Sequence, residues 1–281
     1  MGTIGLGLLA ALCWGLHDIT IRYLSRTVPL MGALFFVLAA GLVFQMLVLG
    51  ATDVMRLPQG DALWLSIGSG AAFLVASLGL YYAFERGPVR LVSPIIGAYP
   101  IVSLGLAALT GAVITPGQIA AVLFIIAGVG VVAALADTSG DPVPAKGPTI
   151  VLSLLSALGF ALTFKLGQTA AELDGELHAT MMARITALGL LAALIVIRKA
   201  PIAVGRRAIL PLLIMGALDG VALLAVLTAG RLEHPQFAAV GSSMFGLFTI
   251  ILAWALLKER MTAPQWGGCV VAFLGIGYLA L

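Results

Sequence analysis

Asp219 lies inside the apolar run LLIMGALDGVALLAVL, about a dozen residues from either end of a stretch long enough to cross a bilayer. Its side chain is too short to reach an interface from that depth. An ionised group there costs at least a few kcal/mol on insertion scales, so it needs a partner or a task. Three chemistries fit. The carboxylate can pair with a cation, bind a cationic group of a ligand, or sit protonated and exchange its proton during a cycle. The alternative is a purely structural ion pair.

Two cations could neutralise Asp219. Lys165 in GFALTFKLGQTAAEL lies late in its apolar segment, where it is either a ligand-facing cation or a stem that snorkels to the interface. Arg184 in MMARITAL lies about two turns into the next segment. Near the start of the chain, His17 and Asp18 are adjacent and Arg22 follows one turn after Asp18. The i, i+4 spacing predicts an Asp18–Arg22 ion pair, with a binding role for Asp18 as the alternative. His17 could shuttle protons near neutral pH, or be a hydrogen-bonded helix contact. Tyr81, Tyr82 and Tyr99 would form an aromatic wall with hydroxyls if they turn inward, whereas Trp64 marks an interface.

These residues must be positioned by an unusually apolar chain. Of 281 residues, 61% are hydrophobic and 10% charged, and the mean hydropathy exceeds what a soluble core of this size requires. This is the composition of a membrane protein. Fifteen basic and 12 acidic residues are scattered at segment ends without a polybasic run, so no nucleic-acid partner is implied. The segment MGTIGLGLLAALCWG lacks the positive start of a cleavable signal and reads as the first span. Cys13 and Cys269 sit in apolar segments and read as packing residues, not as a disulfide or metal framework.

Cutting the chain at charged, glycine, proline and polar clusters leaves ten segments. They run about 2–24, 30–50, 61–84, 88–110, 116–136, 148–170, 177–197, 207–230, 235–257 and 264–281. Backbone groups in lipid must satisfy one another, and segments of this length and uniform hydropathy do so as helices. The polar stretch DTSGDPVPAKGP divides the chain, giving a repeat over 1–136, a linker over 137–147 and a repeat over 148–281. A shift of 147 positions pairs Pro88 with Pro235, Thr115 with Thr262, Gln118 with Gln265, Gly128 with Gly275 and Gly130 with Gly277. Five spans per half is an odd number, so the second copy enters from the opposite face. The expected fold is an all-α membrane protein of ten transmembrane helices, two inverted five-helix repeats around a central cavity, as in secondary transporters.

Finer punctuation supports the same division. Glu85 and Arg86 before Pro88, and Glu233 and His234 before Pro235, read as hairpin and interface residues. Ser93 with Gly97, and Ser242 with Gly246, are small pairs that permit close helix approach. Pro94 and Pro100 predict a bend in the fourth span. No paired carboxylates, activated nucleophile or phosphate-cradling loop is present in the sequence, so no catalysis is expected.

The stretches CWGLHDITIRYL, AYPIVSLGLAAL and LAWALLKERMTAPQWGGCVVAFLGIGYLAL resemble the ten-helix drug/metabolite transporter superfamily of the EamA type. The most specific elements are Lys258-Glu259-Arg260, Thr262, Gln265-Trp266-Gly267 and Trp14-Gly15. Two departures are Ala112 opposite Glu259, and Leu247 opposite Pro100. The resemblance implies a cavity bordered by helices 1, 3, 4, 6, 8 and 9, with helices 5 and 10 as scaffold and helix 7 more peripheral. On that basis Lys165 is preferred over Arg184, and the candidate substrate-binding residues are Trp14, His17, Asp18, Tyr81, Tyr82, Tyr99, Lys165 and Asp219.

The resemblance further implies export or import of small polar or amphiphilic metabolites, amino acids among them, with no cofactor and no metal. The expected partners are a small-molecule substrate, membrane lipid and a proton as candidate coupling ion, for a monomer or homodimer. The expected location is the cell's inner (plasma) membrane, as a multi-pass protein. Most Lys and Arg lie on the odd-numbered connections, which puts both termini outside by the positive-inside rule; the resemblance implies termini in the cytoplasm. Rival readings are a non-transporting scaffold or receptor, which would have no cavity, and a lipid-modifying enzyme, which would need a catalytic cluster.

Overall fold

The structure is a computed structural model that describes residues 2–25, 27–109, 111, 113–135, 145–230, 241–242 and 244–279. All regular elements among the described residues are helical. They are α1 (Thr3–Leu24), α2 (Leu30–Thr52), α3 (Gly60–Arg86), α4 (Val89–Gly97), α5 (Tyr99–Leu109), α6 (Pro116–Ala134), α7 (Lys146–Asp174), α8 (Glu176–Arg198), α9 (Arg206–Gly230), α10 (Phe245–Leu256) and α11 (Ala263–Leu279). Among the described residues six segments are long and apolar enough to cross a membrane: α2, α3, Val89–Leu106 across α4 and α5, α7, α8, and Arg206–Val226 of α9. Pro116–Val132 and Phe245–Leu256 are shorter apolar helices. Large side chains such as Leu47 of α2 and Leu190, Val196 and Ile197 of α8 are exposed. Fully apolar helices with outward-facing leucine and valine are what a lipid environment selects.

The packing has a two-fold logic. Exchanging the halves turns each main neighbour pair into another: α3 against α7 becomes α9 against α1, and α2 against α9 becomes α8 against α3. The pair α6–α11 maps onto itself. Close approach depends on small residues. A Cβ on Gly159 of α7 would stand 2.8 Å from Ala76 Cβ of α3, and one on Gly79 of α3 would stand 2.8 Å from the Leu152 carbonyl oxygen. Such backbone-to-backbone seams are how helices associate where lipid offers no hydrophobic drive.

The α6–α11 pair bears out the scaffold reading, since neither helix lines the cavity described below. A Cβ on Gly128 would meet Ala272, and one on Gly275 would meet Ile125 and the Ala121 carbonyl. Gly130 is not part of this seam, since a Cβ there would meet nothing within 4 Å among the described residues. Its two-residue offset from Gly128 turns it well away from the seam.

The repeated Thr and Gln are helix caps. In α6, Gln118 Oε1 accepts from the Thr115 backbone N–H at 2.8 Å while Thr115 Oγ1 accepts from the Gln118 N–H at 3.3 Å. At α11 the Thr262 N–H donates to Gln265 Oε1 at 2.8 Å, and Gln265 Nε2 reaches the Leu135 carbonyl at 2.9 Å. These capping boxes satisfy amides that a helix start leaves open. Thr115→Ala is expected to cost about 1 kcal/mol, seen as a lower thermal midpoint of the detergent-purified protein with unchanged helix content.

The predicted bend in the fourth span is a break. Helix α4 ends at Gly97 and α5 begins at Tyr99, with Ala98 at φ −78°, ψ 7°. Pro100 has no N–H to offer the Ile96 carbonyl, so the α-helical ladder cannot run through. In the second half Met244, at φ −75°, ψ −1°, directly precedes α10. The start of α10 packs against α4, since a Cβ on Gly246 would stand 3.2 Å from the Ser93 carbonyl oxygen. The expected hairpin residues Glu233 and His234, Pro235, and the departure at Ala112 lie outside the described residues.

Candidate functional site

A cavity of about 460 Å³ lies between the halves. Its walls come from α1, α2, α3, α5, α7, α8, α9 and α10, so the second and seventh spans border it in addition to those expected. Helix α8 is therefore not peripheral. Small residues explain this: Gly41 of α2 and Gly216 of α9 let their helices close up, with a Cβ on Gly216 standing 2.6 Å from Ala40 Cβ. The Arg184 side chain fills the space a side chain at position 41 would need.

Arg184 is the residue that the sequence reading set aside. Its Nη2 donates to Asp219 Oδ2, and Trp14 Nε1 donates to Asp219 Oδ1 at 2.9 Å. Both carboxylate oxygens are thus occupied. Arg184 is only 3% exposed, yet its Nε and Nη1 have no hydrogen-bond partner among the described residues. Buried guanidinium donors without acceptors are costly, and a ligand bearing an acceptor or negative charge would satisfy them. Arg184 also lies 5.8 Å from the Phe73 ring centroid, within reach of a cation–π contact.

From Phe73 a run of rings climbs the wall. Phe73 and Phe160 centroids are 6.3 Å apart, Phe160 and Phe164 are 6.3 Å apart and stacked, and Phe164 and Tyr99 are 5.3 Å apart. All four line the cavity. Of the tyrosines only Tyr99 belongs to this run. Tyr81 is 1% exposed and its hydroxyl lies 3.3 Å from His17 Nε2. Tyr82, one residue on and about 100° round the helix, packs on the hydrophobic core and does not line the cavity.

Lys165 likewise corrects the sequence reading. The face of α7 that lines the cavity carries Phe160, Thr163, Phe164, Gly167, Gln168 and Ala171, a three-to-four spacing that excludes position 165. Lys165 is exposed on the outer side. The preference for it rested on the helix bordering the cavity, which it does, but its phase on that helix is wrong. The same intramembrane-charge argument that singled out Asp219 applied to Arg184 all along.

Asp18 does not pair with Arg22 as its spacing predicts. Its Oδ1 lies 3.2 Å from His17 Nδ1 and its Oδ2 accepts from Thr249 Oγ1 at 3.3 Å. Arg22 turns instead to the end of α3, donating to the Phe84 carbonyl at 2.5 Å, with its Nε 3.5 Å from Glu259 Oε1. Glu259 accepts from the Val89 N–H at 3.1 Å, and Arg90 donates to the Arg260 carbonyl at 2.7 Å. This network joins α1, α3, α4 and the segment before α11, one turn beyond Asp18, at the end of the cavity where the lining residues Asp18 and Tyr81 are buried. The other end is bordered by Gln168 and Glu172, both exposed, and by Glu176, at the junction of α7 and α8.

Cys13 and Cys269 are buried and free, consistent with packing roles. His178 is buried and its Nε2 lies 2.9 Å from the Val54 carbonyl, away from the cavity. Trp64 is 70% exposed, as an interface residue would be.

The family model of the EamA-like transporter family matches residues 1–134 and 147–281, nearly the whole chain in two copies. The chain belongs to the EamA-like transporter family. The repeat seen in the residues is thus the family's own repeat, matched once in each half. No curated relative matches the chain. A solved structure, titled only "Crystal structure of protein", is similar at 17% identity with a TM-score of 0.68, covering 98% of this chain and 95% of its own. At that identity the likeness is one of fold. As a member of the EamA-like family, the chain is a multi-pass membrane protein of the drug/metabolite transporter type.

Proposed function

We propose that this protein is a secondary transporter of small amphiphilic zwitterions such as amino acids, working by alternating access in the cell's inner (plasma) membrane. The observation that carries the reading is the Asp219–Arg184 pair on the wall of the cavity, with two guanidinium nitrogens unpartnered beside a run of four aromatic rings. A substrate's anionic group takes the spare donors of Arg184, its ammonium shares Asp219, and its apolar body lies along Phe73, Phe160, Phe164 and Tyr99. The cavity volume is within the roughly 300–1,000 Å³ of small-molecule sites.

Alternating access is supported by the repeats. Five spans per half invert the second copy, and the two halves meet at the cavity, so rocking one against the other exchanges the open end. On this reading the Arg22–Glu259 end, where the lining residues Asp18 and Tyr81 are buried, is the closed one, and the end with exposed Gln168 and Glu172 is the open one. Export is the direction favoured by family analogy. A scaffold without transport is disfavoured by a large cavity holding an incompletely bonded cation.

The test is counterflow of radiolabelled phenylalanine into liposomes containing the purified protein. Unlabelled phenylalanine inside should accelerate entry of label at least tenfold over empty liposomes, and Arg184→Met should remove the acceleration. Counterflow at the empty-liposome rate across a panel of neutral, basic and acidic amino acids would overturn the amino-acid reading.

A further inference from the structure

Asp219 is a poor place to carry a proton, because Arg184 and Trp14 occupy both of its oxygens. Asp18 is different. It is 3% exposed, lines the same cavity, and is held by two groups that each change with its charge. On one oxygen is His17, whose other ring nitrogen meets the Tyr81 hydroxyl at 3.3 Å. The Asp18 carboxylate and the His17 imidazole lie 3.2 Å apart, close enough for one proton to lie between them.

The second oxygen contacts the opposite half of the molecule. Thr249 of α10 has its Oγ1 3.3 Å from Asp18 Oδ2 and 2.9 Å from the Phe245 carbonyl one turn back. A hydroxyl has one hydrogen and cannot donate to both. With Asp18 ionised, the charged acceptor draws that hydrogen across the seam. With Asp18 protonated, the carboxyl becomes a donor and the threonine returns its hydrogen to its own helix. The seam is tight here: a Cβ on Gly15 of α1 would stand 2.9 Å from Phe248 Cβ and 3.3 Å from the Thr249 backbone nitrogen. A change in that one bond therefore acts directly on two helices from different halves.

We propose that Asp18 and His17 form a proton-binding site facing the cavity, and that Thr249 transmits its occupancy to the contact between α1 and α10. The proton enters from cavity water onto the Asp18–His17 pair and leaves by the same groups when the cavity faces the other way. Among the described residues, few other charged or titratable groups face the site. From α3 there is Tyr81, through His17; from α9 there is Asp219, whose charge acts on Asp18 and is itself held by Arg184 of α8. On α1, Arg22 is engaged with Phe84, Glu85 and Glu259. Helices α2 and α10 contain no ionisable residue.

Use of this proton in transport rests on the transporter reading above, so the test is chosen to need no substrate. The full-length chain in lipid nanodiscs, with Cys13 and Cys269 replaced by Ser, carries spin labels at Tyr23→Cys and Leu256→Cys, both exposed near the helix ends. Infrared difference spectra between pH 8 and pH 5 should show a protonated-carboxyl band that is lost in Asp18→Asn, and the label separation should shift over the same range. In Thr249→Val the band should persist while the shift is lost. In His17→Gln the band's midpoint should move, which keeps the test informative if Asp18→Asn does not fold. A band that survives Asp18→Asn, a midpoint unmoved by His17→Gln, a wild-type separation that does not respond to pH, or a shift that survives Thr249→Val would overturn the proposal. Failed amino-acid counterflow alongside these results would sink the substrate reading and leave the proton site standing.

Discussion

Asp219→Asn is expected to stop phenylalanine counterflow and to lower the stability of the protein by about 3–5 kcal/mol, the range for breaking one side of a buried ion pair. Arg184 then stays buried with no anion, in a wall where two of its nitrogens already lack acceptors. The informative comparison is the double substitution Asp219→Leu with Arg184→Met. It removes both charges together, so thermal denaturation should return to within ~1 kcal/mol of the wild type, since well-packed apolar replacements of buried pairs are close to neutral. Counterflow should stay absent. Recovery of transport in the double variant would mean that the pair is structural. Failure to recover stability would mean that other groups depend on its charges.

Glu259→Gln is expected to shift the protein toward opening at the closed end. Glu259 is the anion that faces Arg22 and also accepts the Val89 amide at the start of α4. Its side chain is 14% exposed, so part of its contribution is screened and ~2 kcal/mol is a reasonable loss. That corresponds to about a 30-fold change in the ratio of the two states if the bond exists only in the closed one. The measurement is labelling of Ser25→Cys, buried beside this network, by a membrane-impermeant maleimide. Labelling should accelerate by a similar factor on the Glu259→Gln background. An unchanged rate would show that the closed end is held by packing, through residues such as Phe84 and Val89, and not by the charge network.

The sequence by itself determined the class of structure and the kind of site. A chain this apolar, with most of its charges at segment ends, is built for a bilayer, and apolar runs of about 20 residues leave the helix as the form that bonds its own backbone. Asp219 stood out for the same reason, because a short acidic side chain in mid-membrane cannot reach water. The repeated Thr and Gln were legible as a repeat, and the structure supplied their reason, the capping of a helix start.

What the tertiary structure decided was phase and partnership. Lys165 and Arg184 carry the same charge in adjacent apolar helices, and only packing turns one outward while Gly41 and Gly216 make room for the other at the cavity. Tyr81 and Tyr82 are neighbours in sequence, yet the helix sends one into the cavity and the other onto the core. Asp18 and Arg22 have ideal spacing for a local pair, and both find better partners in other helices, Thr249 for one and the end of α3 with Glu259 for the other. Local spacing states which groups can meet. Which of them do is fixed by the competition among helices for the few close seams that small residues permit, and that competition is a property of the whole bundle.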